Sequence, residues 1–227
     1  MKVELISYSN LGEKVCGIAS KTCVSESIPT VDDDVTKSLK AAMASGHSAV
    51  LEHWSATFAI SGVSRALSHQ LVRHRIASFS QQSQRYVNMD NFEYVTPQTI
   101  LDVKDSFDMG DECPSNEPLY AWDWIMREIN GLYRALIDKG VPEEDARYIL
   151  PNACCTNIVV SMNARELRHF FRLRCCTRAQ WEIREMANLM LSEVKKVAPT
   201  IFEDAGASCV ATGRCPEGKK SCGRVRE

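Results

Sequence analysis

The sequence predicts an α+β fold, a mixed or antiparallel sheet packed by long helices in a single domain, and three observations carry that expectation. Val3 to Tyr8 and Ala56 to Ser64 show strand-type alternation of side chains. Leu119 to Lys139 instead places Trp122, Ile125, Ile129, Leu132 and Leu136 at helical spacing. The 227 residues hold no internal repeat and no composition break sharp enough for a domain boundary, and such a length can bury a core without disulfide staples.

In chain order, Val3 to Tyr8 forms the first strand. Asp32, Asp33 and Asp34 then offer a cap and first-turn acids to a helix running through Leu39 and Met43 to Gly46. Small and β-branched residues make Ala56 to Ser64 the next strand, and Ala66 to Arg75 reads as a helix beginning near Ser64. Phe92 to Thr96 is expected as a strand ended by Pro97, and the acidic stretch Asp102 to Pro118, with its Gly and Pro, as a loop or frayed helix. Gly140 sits where the helix over Leu119 to Lys139 needs a residue tolerant of the left-handed conformation. Pro142-Glu143-Glu144-Asp145 opens a short helix that Pro151 ends, and one long helix is expected from about Asn163 to Val197.

Composition excludes several functions. With 27 basic and 29 acidic residues the chain carries a formal charge of −2, so no global positive field recruits nucleic acid or an anionic membrane. No apolar run suffices to span a bilayer, and MKVELISYSN lacks the basic start and apolar stretch of a signal peptide, so a cytoplasmic protein is expected. Its ten cysteines are then expected as reduced thiols. Cys209, Cys215 and Cys222 lie in a Gly- and Lys-bearing tail, 208–227, without a C-x-x-C pair or a nearby His; surface thiols on a flexible tail are expected there, and no metal.

The chemistry concentrates where acids are missing. Between Glu52 and Asp90 there is not one Asp or Glu, although 29 acids in 227 residues predict several in such a stretch. Arg65, Arg73, Arg75, Arg85, His53, His69 and His74 stand there, with Ser83 and the amides Gln81, Gln82 and Gln84. Guanidinium forks, hydroxyls and amides hold phosphate oxygens and heterocycle edges. Three partners remain open on this ground: a polyanionic small ligand, acids elsewhere in the chain or in another subunit, or RNA. Ser83 has no His and Asp at a recognisable motif spacing, so it reads as a phosphate-binding hydroxyl rather than a nucleophile. His74, between two arginines, is better suited to hydrogen bonding than to holding a proton.

A second basic cluster lies in Asn163 to Arg174, four arginines against the single acid Glu166. On a helix Arg165, Arg168 and Arg172 share one face, while Arg174, and Arg178 if the helix continues, fall among Leu167, Phe170, Phe171 and Trp181. A guanidinium on the core side keeps its charge and must meet a carboxylate, such as Glu182 or Glu185, or a ligand that is or becomes negative. Arg174 is therefore the first catalytic candidate.

These residues also carry a resemblance. Arg73-His74-Arg75, seven residues and then Ser83, continuing to Arg85-Tyr86, resembles the RHR-x7-S signature of the flavin-dependent thymidylate synthases. Gly46-His47 to Glu52-His53 is similar to the family's GH-x4-EH segment; Ala146 to Pro151, Asn163-Ala164-Arg165 and Leu173-Arg174 resemble its later blocks. Ala49, Gln81, His169 and Arg178 differ from residues that other members carry.

The resemblance implies an FAD enzyme that makes dTMP from dUMP, with 5,10-methylenetetrahydrofolate as carbon donor, NADPH as reductant and no enzymic cysteine nucleophile. It implies FAD contacts at Arg73, His74, Arg75, Gln81, Asn163, Ala164, Arg165 and His169. It implies nucleotide contacts at Gln70, Leu71, Val72, Arg73, Gln81, Gln82, Ser83, Gln84, Arg85, Arg147 and Arg174, and a homotetramer with sites assembled between subunits.

Overall fold

A computed structural model describes residues 1–106, 109–110 and 113–224. Parts of two expectations, the 102–118 loop and the 208–227 tail, thus lie outside the described residues. Four strands, β1 (Lys2–Tyr8), β2 (Ser55–Ser64), β3 (Ala77–Gln81) and β4 (Cys155–Asn163), form an open antiparallel sheet in the order β1-β2-β4-β3. The α+β class is as expected. The register of β2 and β4 is fixed at one end by Ala164 N–H donating to the Trp54 carbonyl and at the other by Arg65 N–H donating to that of Cys154. Alternation puts Ala56, Phe58 and Ile60 of β2, and Thr156, Ile158, Val160 and Met162 of β4, on the buried face.

The helices are α1 (Gly12–Thr22), α2 (Thr36–Ala44), α3 (Arg65–Leu71), α4 (Gln98–Leu101), α5 (Pro118–Asp138), α6 (Glu143–Ala146), α7 (Ala164–Arg174), α8 (Trp181–Val197), α9 (Pro199–Phe202) and α10 (Ser208–Thr212). Two compact units are distinguished. The first, Met1–Ile60 with Gln70–Ser80 and Ile158–Glu227, centres on aromatic contacts. Trp54 meets Phe202 edge-on at 5.2 Å, and Phe171 stands between Phe202 and Phe170. Gly12 lies so close to Trp54 that a Cβ there would be 2.0 Å from Cδ1 of the indole.

The second unit, Ser61–His69 with Gln81–Asn157, is built on α5. Met126 and Tyr133 are buried with Met89, Phe92 and Cys154, and Trp122, Ile125, Ile129 and Leu136 pack around them as the helical spacing requires. Leu132, expected on that face, is exposed. Gly140 ends the helix at φ +81°, with its own N–H on the Ile137 carbonyl and Val141 N–H on that of Leu136, the paired bonds of a Schellman cap.

Other expectations are corrected. Phe92 to Thr96 contributes a single bridge, Tyr94 to Cys154, rather than a strand. The three aspartates before α2 supply no first-turn acid; Asp34 instead accepts the Thr36 N–H. The helix expected over Ala66 to Arg75 ends at Leu71, because His74 N–H closes a turn on the Leu71 carbonyl and the chain then extends into β3. The long helix expected from Asn163 to Val197 is two, since Gln180 uses its side-chain carbonyl to accept from Glu182 and Ile183 N–H groups and so starts α8 afresh. Arg178 is thereby left in the exposed connection, off both helices.

Candidate active site

In the first unit the site grows from the start of α7. Asn163 caps the helix by accepting the Glu166 N–H at 2.9 Å. An acid three residues after the cap would ordinarily reach back to the cap backbone. The Glu166 carboxylate is turned instead to His74, its Oε1 lying 3.1 Å from Nδ1. Glu166, Phe170 and Arg174 follow at intervals of four, a stripe along one side of α7. His74 lies on that stripe, its ring edge-on to Phe170 with centroids 4.9 Å apart, and its Nε2 accepts from Arg174 Nε at 3.1 Å.

His74 reaches this stripe because Arg73-His74-Arg75 is not helical. Arg73 lies in the turn that His74 N–H closes on the Leu71 carbonyl and Arg75 follows it; both arginines are exposed while His74 is 6% exposed. Burial is the main cause that holds His74 below the ordinary histidine pKa; the Arg174 charge adds to it and the bond to Glu166 opposes it. Arg174 is half-buried, its Nη2 reaches the Gln70 carbonyl at 3.4 Å, and burial lowers its pKa. Among the described residues Arg174 makes no ion pair, with Glu182 and Glu185 included.

The other arginines divide. Arg165 pairs with Glu52 and Arg168 with Asp204, so protein acids neutralise these two. Arg73 and Arg75 have no ion pair among the described residues. A cavity of about 550 Å³ is lined by Ser48, Glu52, Asn163, Arg165, Glu166 and His169 together with further residues of α7. A neighbouring cavity of about 730 Å³ shares Ser48 and Arg165 and reaches His47 and Ala49. Four of the eight residues expected at FAD thus occur together here: Asn163 and Arg165 on the cavity wall, Ala164 fully buried behind it, and exposed His169. Gln70 is half-buried, Leu71 is buried in the core and Val72 is exposed, so Leu71 offers a ligand only its backbone.

The polar atoms of His74, Glu166 and His169 lie within 4.8 Å of one another, a set of metal-ligating types. Hydrogen bonds already occupy both His74 nitrogens, and a cation there would face the Arg174 guanidinium. This set is read as a hydrogen-bonded network.

In the second unit lies the glutamine- and serine-bearing loop. Gln81 donates its amide to the hydroxyls of Ser68 and Thr156, and Gln82 exchanges bonds with Asn157. Gln84 is buried against the Cys154 sulfur, and Ser83 Oγ accepts the Arg85 N–H at 3.2 Å. Arg85 donates to the Glu144 carboxylate and Arg147 to the Glu144 backbone carbonyl. Acids of the chain therefore pair with Arg85, Arg165 and Arg168, whereas Arg73, Arg75 and Arg174 make no ion pair among the described residues.

Sequence reasoning missed Glu166. Two signals pointed to it: it is the lone acid among the arginines of this stretch, and it stands four and eight residues before Phe170 and Arg174. The expectation of surface thiols fails at Cys209, which is buried in α10. Cys176, Cys209, Cys215 and Cys222 line one cavity of about 430 Å³, but no three of these sulfurs gather within 4.8 Å.

Comparison with known proteins adds a separate line. The profile of the family described as thymidylate synthase complementing protein matches residues 4–200. A flavin-dependent thymidylate synthase of Geobacter sulfurreducens is 49% identical, the match covering 100% of this chain and 96% of that protein. One of Clostridium tetani is 48% identical over 100% of this chain and 95% of its own length. One of Sulfolobus acidocaldarius is 44% identical over 92% and 78%.

Proposed function

The chain belongs to the thymidylate synthase complementing protein family and is an enzyme, a flavin-dependent thymidylate synthase; on that premise we propose that it methylates dUMP to dTMP with bound FAD. Methylenetetrahydrofolate is the carbon donor and NADPH the reductant in this reading. The assembly is a homotetramer whose sites are completed between subunits.

The residues fit the cofactor. Arg73 and Arg75, exposed and without ion pairs among the described residues, suit the oxygens of a pyrophosphate. Asn163, Arg165 and His169 line a cavity of about 550 Å³ and offer amide, guanidinium and imidazole donors to a heterocycle. Gln81 and the backbone at Ala164 and His74 complete the contacts. When bound, the flavin supplies the two-electron redox chemistry.

The observation that carries the reading is the Arg174 guanidinium, half-buried and held by an imidazole and a carbonyl instead of a carboxylate. Such a group keeps its proton, so it serves as a fixed positive charge and not as a general acid. In this mechanism it faces the uracil N3 and carbonyl edge of dUMP and stabilises the negative charge that develops there. Ser83, Gln82, Arg85 and Arg147 hold the phosphate and sugar, with the backbone of Gln70 to Val72 and of Gln84 beside them, and keep the ring in register.

No cysteine is asked to attack the ring. Burial pushes the thiols of Cys16 and Cys175 up to about 12 and that of Cys154 to about 11, far from the thiolate that a nucleophile needs. The test is tritium release from 5-labelled dUMP with NADPH and methylenetetrahydrofolate, with and without added FAD. FAD-dependent release with formation of dTMP is expected; release that ignores FAD contradicts the reading.

A further inference from the structure

His74 is tied at both ends, and the ties specify its protonation. Arg174 Nε can only donate, so Nε2 of His74, 3.1 Å away, must be a lone pair. The proton of the neutral ring therefore sits on Nδ1 and is donated to Glu166 Oε1 at 3.1 Å. With Glu166 at 7% and His74 at 6% exposure, water competes little for either bond. The sequence Glu166, His74, Arg174 runs from a buried carboxylate through an oriented imidazole to a guanidinium whose Nη2 also bonds the Gln70 carbonyl.

We infer that Glu166 and His74 are positioning residues that hold the Arg174 guanidinium in place for catalysis, through the juxtaposition of the three along one stripe of α7. The inference rests on the proposed role of Arg174. An arginine on a long flexible stem loses side-chain entropy when it is fixed, and a charge stabiliser acts best when it is fixed before the reaction. The imidazole acceptor fixes Nε. Glu166 in turn forbids the other tautomer, in which Nε2–H would confront the Arg174 N–H donor. Without the carboxylate that tautomer becomes available and the guanidinium loses its seat.

The experiment combines a spectroscopic and a kinetic readout on the full chain. Nitrogen-15 NMR of histidine-labelled wild type at neutral pH is expected to show His74 with its proton on Nδ1, whether or not the protein turns over. Glu166→Ala is expected to shift the ring toward the Nε2–H form and to lower kcat about 10- to 100-fold, the range seen when an orienting partner is removed, while KM for dUMP stays near wild type. Glu166→Gln keeps an acceptor oxygen, so it is expected to retain the tautomer and recover much of kcat. A wild-type ring protonated on Nε2, an Ala variant with undiminished kcat, or a Gln variant as impaired as Ala overturns the inference. If Glu166→Ala does not fold, the wild-type tautomer and the Gln variant still decide. Absence of tritium release in wild type defeats the reading of the reaction while the tautomer result stands on its own.

Discussion

Arg174 shows what one residue type on the wrong face of a helix can reveal. A guanidinium placed by periodicity among Leu167, Phe170 and Phe171 demanded a partner, and the structure supplies an imidazole rather than an acid. Its removal is expected to leave bound flavin intact, read from the absorbance of purified Arg174→Ala, and to slow dTMP formation by at least about 100-fold, or about 3 kcal/mol of transition-state stabilisation. Turnover near wild type would take Arg174 out of the chemistry. His74 was legible as a hydrogen-bonding residue, although burial outweighs the neighbouring charges as the reason. The acceptors of Arg85, Arg165 and Arg168 were not legible. Glu144, Glu52 and Asp204 are 59, 113 and 36 residues away, and nothing local in the sequence records such contacts.

Elements were legible where local signals agreed. In α5, apolar spacing and the glycine after its end point to the same helix, and both hold in the structure. The break between α7 and α8 was hidden because Gln180 caps with an amide, a residue type rarely read as a start signal. β4 was not expected although Thr156, Ile158, Val160 and Met162 alternate locally as a strand requires, and neither was α1, with two glycines in its 11 residues. Gly12 and Gly17 mark close approach, of Trp54 and of Val35 respectively. Gly12→Ala would drive a methyl group to 2.0 Å from the Trp54 ring, so it is expected to destabilise the fold by about 1–3 kcal/mol or more. Urea unfolding followed by tryptophan fluorescence measures it, and an unchanged midpoint would mean that the ring moves aside freely.

At the scale of the molecule, the α+β class was readable and the strand order was not. Pairing such as Thr57 to Ser161 joins residues 104 apart, a separation at which hydrophobic patterning carries no address. The pH dependence belongs to this scale, since it sums over all groups. His74 is held below the ordinary histidine value of 6.5, facing Glu166, Arg174 and His169, so the unfolded chain takes up its proton first. Its contribution is complete above that value and is lost as pH falls through the lower folded value. Asp90 and Asp204, held low by hydrogen bonds from Arg134 and Arg168, add a loss only below their ordinary value of 3.8. The urea midpoint is therefore expected to fall between about pH 7.5 and about pH 5.5, and His74→Gln to fall less over that window. An equal fall in both proteins would assign the dependence to other groups.

The bridge across α7 also sets a rule of tolerance for descendants of this chain. Glu166 and Arg174 meet one imidazole because two steps of four residues along an unbroken helix leave them about 80° apart in azimuth, on one side of it and two turns apart. One residue gained or lost between them would rotate the later partner by about 100° away from the ring. Loops elsewhere can lengthen and shorten, but this interval has a fixed count, and insertions or deletions should be absent from it in any lineage that keeps the activity.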